Sequence, residues 1–302
     1  MTDQAATCVL PARARLGECP LWSPTEARLY WVDIDGQAIH RYDPETGADE
    51  LRSTSGRPTA LALTDTPGRL LVALERGLVF FDWKRGETRD WLPLEPNSDN
   101  RLNDGRCDPA GRFWVGSMFD PAEAGRFTGA LYRVSPDGTA VTVRTDVGVA
   151  NGLAFSPDGG TMYFADTTRQ VVWAFDYDAS TGEAGNERVF LDFTPLPGRP
   201  DGACVDADGC YWIACVFGWA VLRVTPEGRI DRRISIPVEK PTMPAFGGPD
   251  LSTLFITSIG GGGTHPVDPS QPDAGGLFAI DVGVRGLLEP RFGGALAEAG
   301  GP

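Results

Sequence analysis

One pattern occurs six times along the chain and restricts the fold more than any other sequence feature. Each copy has a polar residue, which we call the slot residue, then a short apolar strand, a turn and a second apolar strand. The slot residues are Glu18, Thr59, Asn103, Asn151, Asp201 and Thr242. Consecutive slots lie 41 to 50 residues apart, by subtraction of their positions, which matches the ~40–50 residues of a four-stranded propeller blade. The repeat therefore predicts an all-β, six-bladed β-propeller.

The repeat also predicts how the chain is divided. Second strands are expected at 29–32, 70–73, 113–115, 162–165, 211–214 and 254–257. We expect a single domain over residues 1–302, with blades near 16–56, 57–100, 101–148, 149–198, 199–239 and 240–293. The stretch near 6–14 is a candidate for the strand that closes the ring. A β-sandwich is the alternative, but a sandwich has no reason to repeat one pattern six times.

Charge and composition restrict the function. A net charge of −14, without a run of Lys or Arg, argues against nucleic acid as a partner. No stretch has the length and apolar character of a signal peptide or a membrane span. We therefore expect a cytoplasmic protein, a monomer or weak homodimer, that acts on a small molecule and not at a membrane. The six cysteines lack a C-x-x-C spacing, so a zinc ribbon or a redox pair is not expected.

Equivalent positions on the innermost strands of a propeller form a ring around one end of its channel. Small polar residues also favour turns, which is the alternative explanation for any single slot. Two carboxylates, Glu18 and Asp201, would however face two carboxamides, Asn103 and Asn151, across one axis. Facing carboxylates repel each other unless a cation neutralises them. Because the donors are all oxygens, the slots predict a site for Ca²⁺, Mg²⁺ or Mn²⁺ rather than Zn²⁺.

Other catalytic chemistries have less support in the sequence. The two histidines are His40, in a strand expected at 38–42, and His265, in a Gly-rich loop. His40 is interpreted as a surface or packing residue, and His265 is a secondary candidate for the site. A G-x-S-x-G elbow and a Walker-type Gly-Lys-Ser/Thr sequence are both missing. Metal-assisted hydrolysis is the enzymatic interpretation that remains.

Several short motifs, taken in order, resemble one known family. They are CVLP (8–11), GECPLW (17–22), YWVDI (30–34), NRLNDG (100–105), DPAGR (108–112), NGL (151–153), PDG (200–202) and AFGG (245–248). The chain resembles the gluconolactonase, senescence-marker-protein (regucalcin) and luciferin-regenerating-enzyme family over most of its length, from about Cys8 to Gly286. Each motif alone is weak, but their shared order is specific.

The resemblance implies a six-bladed propeller with one divalent cation near the channel mouth. Carried over by position, the metal ligands are Glu18, Asn151 and Asp201, and Asp201 is also the general base. The substrate contacts are Arg101 and Asn103. Ca²⁺ is the expected cofactor, with Mg²⁺, Mn²⁺, Zn²⁺ and Fe²⁺ as alternatives.

The resemblance also implies a reaction, the hydrolysis of a sugar-acid lactone such as glucono-, arabinono-, xylono- or galactonolactone to the free acid. Relatives offer a lid carboxylate near residue 120, for which this chain has two candidates, Asp120 and Glu123. Phe217 and Trp219 are candidate walls of the pocket. One alternative keeps the site but extends its substrates to other lactones, esters or phosphotriesters. Another is a propeller that binds calcium without catalysis.

Overall fold

The computed structural model describes residues 4–97, 99–261, 266 and 268–294. Strands account for 55% of the structure and helix for about 1%. The strands form six sheets, arranged as the blades of a β-propeller. The all-β, six-bladed architecture expected from the repeat is therefore confirmed.

The first half of the chain forms two N-terminal strands and three blades. The chain opens with β1 (Gln4–Ala5) and β2 (Thr7–Leu10). Blade 1 contains β3 (Gly17–Ser23), β4 (Arg28–Asp33), β5 (Ala38–Tyr42) and β6 (Asp49–Ser53). Blade 2 contains β7 (Ala60–Leu63), β8 (Arg69–Ala73), β9 (Gly77–Asp82) and β10 (Glu87–Pro93). Blade 3 contains β11 (Asn100–Cys107), β12 (Phe113–Phe119), β13 (Gly129–Val134) and β14 (Ala140–Val147).

The other three blades follow the same plan. Blade 4 contains β15 (Ala150–Phe155), β16 (Thr161–Asp166), β17 (Val171–Asp178) and β18 (Glu183–Asp192). Blade 5 contains β19 (Arg199–Val205), β20 (Tyr211–Val216), β21 (Ala220–Val224) and β22 (Ile230–Ser235). Blade 6 contains β23 (Pro241–Gly247), β24 (Thr253–Ser258) and β25 (Leu277–Asp281). Antiparallel pairing runs outward from the first strand of each blade.

The N-terminal strands join the last two blades. Strand β2 pairs antiparallel with β25 and completes the four strands of blade 6. Strand β1 pairs parallel with β22 at the outer edge of blade 5. The start of the chain is thereby hydrogen-bonded to its later part, which leaves the ring of blades closed between blades 6 and 1.

The core lies between neighbouring blades and is rich in aromatic side chains. Trp31, Trp114 and Trp212 occupy the second strands of blades 1, 3 and 5, and each is at most 1% exposed. Large aromatic side chains contribute strongly to burial because each removes ~150–250 Å² from water. His40 stacks on Trp31 at 3.9 Å between ring centroids and bonds Asp49 at 2.6 Å, so it is a packing residue.

Two fully buried aspartates connect two of these tryptophans, Trp212 and Trp114, to the turns beside them. Asp206 accepts hydrogen bonds from Trp212 Nε1 at 2.8 Å and Arg223 Nε at 2.8 Å, and also from backbone N–H groups of its own turn. In blade 3, Asp108 likewise accepts a hydrogen bond from Trp114 Nε1 at 3.3 Å. A buried carboxylate is tolerated when its oxygens are this well satisfied. In these two blades the turn and the second strand are thereby fixed together.

We expect Asp206→Ala to lower the free energy of unfolding by about 3–5 kcal/mol, because it leaves the buried Arg223 Nε and the Trp212 N–H without their acceptor. Chemical denaturation would measure the loss. The control is Asp208→Ala, which removes one exposed partner of the same guanidinium and should cost at most about 1 kcal/mol. Equal losses in the two variants would contradict the role assigned to Asp206.

The C-terminal segment crosses the end of the channel opposite the slots. Gly286 forms a β-bridge with Asp206 of blade 5, and Phe292 forms one with Thr64 of blade 2. Between these bridges, Glu289 is ion-paired with the buried Arg106 of blade 3. A cavity of about 500 Å³ lies beneath the segment. The segment therefore covers the far end and ties several blades together.

Two further features concern the state of the cysteines and the length of the helices. All six cysteines, which lie in the described ranges, are free thiols. Within residues 4–97, 99–261, 266 and 268–294, no helix has the length and apolar character that crossing a bilayer would require.

Candidate active site

The slot residues lie where the innermost strands lose their regular pairing. Among the described strands, the register shifts beside five of the six slots, between Glu18 and Leu21, Leu102 and Gly105, Asn151 and Ala154, Pro200 and Ala203, and Pro241 and Pro244. A β-bulge bends a strand and changes the direction of its side chains. The repeated bulge is therefore the local feature that positions the slots at the channel mouth.

Four of the six slots line one cavity of about 560 Å³ at this mouth. They are Glu18, Asn103, Asn151 and Asp201. The two threonines instead bond backbone carbonyls, Thr59 that of Ala73 at 3.3 Å and Thr242 that of Gly17 at 2.6 Å. The slots that carry carboxylate or carboxamide groups are thus the ones that face the cavity, and the threonines hold neighbouring strands.

The two cavity carboxylates lie in an environment that disfavours their charges. Burial, followed by the charge of Asp104, raises the pKa of Glu18 to about 8, although Glu18 keeps part of its surface open. Burial and the charges of Glu18 and Asp104 raise the pKa of Asp201 well above its ordinary value. Such shifts mark a place where a cation would be strongly stabilised.

A chain of hydrogen bonds fixes the carboxamides. Asn103 Nδ2 donates to Asn151 Oδ1 at 3.1 Å, and Asn151 Nδ2 donates to Thr167 Oγ1 at 2.8 Å. The Thr167 hydroxyl donates in turn to the carbonyl of Pro200 at 2.7 Å, next to Asp201. Because both amide nitrogens have acceptors, the oxygen of Asn151 is held on the side of Asn103 and the cavity.

Arg101 is a buried cation at the cavity wall. It is 7% exposed, and its Nη1 donates to Asn103 Oδ1 at 2.6 Å and to the Leu102 carbonyl at 3.0 Å. Within the described residues, its Nε has no hydrogen-bond partner, and the carboxylate oxygen nearest to Nε, on Asp120, is 3.9 Å away. Burial lowers the pKa of Arg101. From the sequence alone, this residue had the pattern of an ordinary solvated charge.

The two candidate lid carboxylates differ in position. Glu123, on the 3₁₀ turn Ala122–Ala124, lines the cavity. Asp120 is instead ion-paired with Arg57 at 2.6 Å, so its carboxylate already has a cationic partner within the protein. Of the two aromatic candidates, Phe217 lines the cavity and Trp219 is not among its lining residues. His265 lies outside the described residues.

Asp104 is a residue that the sequence interpretation missed. Asp104 is 6% exposed, and its Oδ2 accepts a hydrogen bond from the Leu153 N–H at 2.9 Å. Its Oδ1 is buried and has no hydrogen-bond partner in the part of the chain that the structure describes. Its charge raises the pKa of both Glu18 and Asp201. The signal was present in the sequence, because an acidic residue follows directly after the slot residue Asn103 in a strand expected to line the channel.

The donor set suits a hard divalent cation. Glu18, Asp201 and Asn151 offer oxygens at one cavity, and the unpartnered Asp104 oxygen adds negative charge behind them. Across the ranges that the structure describes, no group of three or more His, Cys, Asp or Glu side chains is arranged to hold a metal. Any ion at this cavity would therefore depend on the carboxamide oxygen as well as on the two carboxylates, a combination that suits Ca²⁺ or Mg²⁺.

The chain is similar to a set of known lactonases. It is 38% identical over 295 residues to a 6-deoxy-6-sulfogluconolactonase of Pseudomonas putida, which covers 97% of this chain and 100% of that protein. It is 39% identical over 291 residues to a pentonolactonase of Haloferax volcanii, covering 94% and 97% of the two chains.

A solved structure agrees in fold. The crystal structure of a calcium-binding protein, regucalcin, from Agrobacterium tumefaciens superposes with a TM-score of 0.90 and 31% identity, covering 96% of this chain and 98% of that one. A family profile described as SMP-30/Gluconolactonase/LRE-like region matches residues 16–260, which include every slot. This chain therefore belongs to the SMP-30, gluconolactonase and luciferin-regenerating-enzyme-like family.

Proposed function

We propose that this protein is a metal-dependent lactonase that opens a sugar-acid lactone to the free acid. The observation that carries the proposal is the convergence of two carboxylates, two carboxamides and a buried guanidinium on one open cavity. Relatives that share more than a third of the sequence over nearly the full chain are named as lactonases of sugar acids. We further propose a cytoplasmic protein, a monomer or weak homodimer, whose partner is the small-molecule lactone.

The proposed cofactor is one divalent cation, with Ca²⁺ as the first choice. Glu18, Asn151 and Asp201 would hold it, because their oxygens line the cavity and the two carboxylates need a counter-charge. Bound there, it would supply Lewis-acid stabilisation of the negative charge that develops on the lactone carbonyl oxygen. The calcium-binding description of the Agrobacterium structure supports this choice.

The side chains of the site have separate proposed roles in proton transfer and in substrate binding. Asp201 is the proposed general base, which takes a proton from the attacking water. Arg101 and Asn103 hold sugar hydroxyls, and the bond between them fixes both groups before substrate arrives, a positioning contribution. Asn151 is held through Thr167, so its oxygen does not rotate away from the cavity.

The test is turnover on gluconolactone, arabinonolactone, xylonolactone and galactonolactone, measured as proton release after chelation and after re-addition of Ca²⁺, Mg²⁺, Mn²⁺ or Zn²⁺. We expect one or more lactones to be opened, and the rate to return only with added cation. Opening of aryl esters or phosphotriesters at a higher kcat/KM would favour a permissive hydrolase. Calcium binding without turnover on any substrate would favour the non-catalytic alternative and overturn the proposal.

A further inference from the structure

A second ring of residues lies two positions before the slots. It consists of Leu16, Arg57, Arg101, Val149, Arg199 and Lys240. Four of these six residues, Leu16, Arg101, Val149 and Arg199, line the same cavity as the slots. Because residues two apart on a strand are roughly 7 Å apart along it, this ring stands at the entrance of the cavity. We call it the rim ring.

Four members of the rim ring are cations, and two of them are neutralised by protein. Arg57 is ion-paired with Asp120 at 2.6 Å and with Glu75 at 3.2 Å. Lys240 lies 4.0 Å from Glu239. The positive charges of these two side chains are therefore neutralised by neighbouring carboxylates.

The other two rim cations lie at the cavity and have no carboxylate of their own among the described residues. In that part of the chain, Nε of the buried Arg101 has no hydrogen-bond partner, and its nearest carboxylate, Asp120, is shared with Arg57. Arg199, the first residue of β19, is exposed, and its side chain has no hydrogen-bond or ion-pair partner within the described residues. They occupy equivalent positions on blades 3 and 5, two residues before Asn103 and Asp201.

The cavity thus has negative charges at its inner level and positive charges at its rim. Glu18 and Asp201 lie at the inner level, where the proposed cation would neutralise them. At the rim, the exposed Arg199 lines the cavity, and Glu123 and the buried Arg101 line it as well. A guanidinium binds a planar or tetrahedral oxyanion with two hydrogen bonds, so the exposed guanidinium of Arg199 suits a carboxylate, sulfonate or phosphate.

We propose that Arg199, beside the hydroxyl-binding Arg101, provides an anion subsite that selects sugar lactones carrying a negatively charged substituent over neutral ones. The inference rests on the proposed lactonase function and names its substrate class. The lactone ring lies over the inner carboxylates, and the charged substituent, remote from the reacting bond, lies at the rim. Arg199 is then a specificity-determining residue, and its effect falls on substrate binding rather than on the bond-breaking step.

The test compares galactonolactone with galactarolactone of the same ring size, since the two differ only in a terminal CH₂OH that is replaced by a carboxylate. Wild-type protein should show the higher kcat/KM for galactarolactone, and salt should reduce that preference by screening. Arg199→Gln should lower kcat/KM for galactarolactone about tenfold, mainly through KM, and leave galactonolactone within about twofold. Arg199→Lys should retain part of the preference, because it keeps the charge but not the two-pronged geometry.

The matched control is Arg229→Gln, which makes the same change of net charge in an exposed turn of blade 5; it should leave both lactones unchanged. Equal effects of Arg199→Gln on the two lactones, or no effect on galactarolactone, would overturn the subsite. Calorimetric binding of galactarate and galactonate keeps the inference testable if wild type opens no lactone. In that case the proposed function fails, whereas an unchanged galactarate affinity in Arg199→Gln would be the separate failure of the subsite.

Discussion

Asp201→Asn is expected to lower kcat for lactone opening by about a thousandfold or more, because an amide cannot take the proton from the attacking water. Proton-release assays under saturating cation would measure the loss. The substitution keeps the shape of the side chain, so the bulge at Pro200 to Ala203 and the bond from Thr167 to the Pro200 carbonyl should persist. Binding of substrate should therefore be far less affected than turnover.

Although Asp201→Asn should lower kcat, it should not lower the thermal stability of the metal-free protein. Burial and like charges raise the pKa of Asp201, so its ionised carboxylate is unfavourable in the metal-free fold. Replacing that carboxyl with an amide is therefore not expected to lower the free energy of unfolding. The melting temperature of metal-free Asp201→Asn should equal or exceed that of the metal-free wild type. Asp208→Asn, an exposed change in the next turn of the same blade, is the control for turnover and should keep normal kcat. Near-normal turnover in Asp201→Asn would show that the base is another group.

Much of the fold could be predicted because a propeller repeats its local pattern. The strand expected at 38–42 is observed as Ala38–Tyr42, and each second strand expected from the repeat lies within an observed one. Tight turns and short apolar strands are local properties, so six copies of the same pattern reinforce one another. Pairing within a blade then follows from the order of the chain.

The site was less accessible to sequence reasoning because its properties depend on contacts between blades. Thr59 and Thr242 have polar side chains like the other slots, and only the structure shows that they bond backbone carbonyls. The pairing of Asp120 with Arg57 joins residues 63 positions apart. The same holds for the rim ring, since the difference between Arg57 and Arg199 is the presence of neighbouring carboxylates and not a property of the strand.

Four of the buried carboxylates in the described part of the chain fall into two groups with different surroundings. Asp206 and Asp108 are surrounded by donors from a tryptophan, an arginine and backbone N–H groups. Asp201 and Asp104 lie near other carboxylates instead, and one oxygen of Asp104 has no hydrogen-bond partner among the described residues. A scaffold needs satisfied groups, whereas a binding site needs groups whose partner arrives from outside. Among these four buried aspartates, the neighbouring charges thus differ where burial does not.

Cation binding should depend on pH in a direction set by Glu18. Its pKa in the metal-free fold is about 8, compared with 4.5 for the unperturbed group. A raised folded pKa stabilises the fold below the unfolded value, and that contribution is lost as pH rises through about 8. The metal-free protein should therefore lose stability over this window, and a cation, which must displace the proton, should bind more tightly as pH rises.

The expected result is a rise in melting temperature on adding Ca²⁺ that is several degrees larger at about pH 8.5 than at about pH 6. Proton release on cation binding, measured in weakly buffered solution near neutral pH, should accompany it. Glu18→Gln should reduce cation affinity, remove most of the pH dependence and abolish cation-dependent turnover, because a ligand charge and its proton are both gone. Glu26→Gln, a change of the same kind in the turn outside the cavity, is the matched control. A calcium-induced shift that is equal at both pH values, or that survives intact in Glu18→Gln, would place the cation elsewhere in the protein.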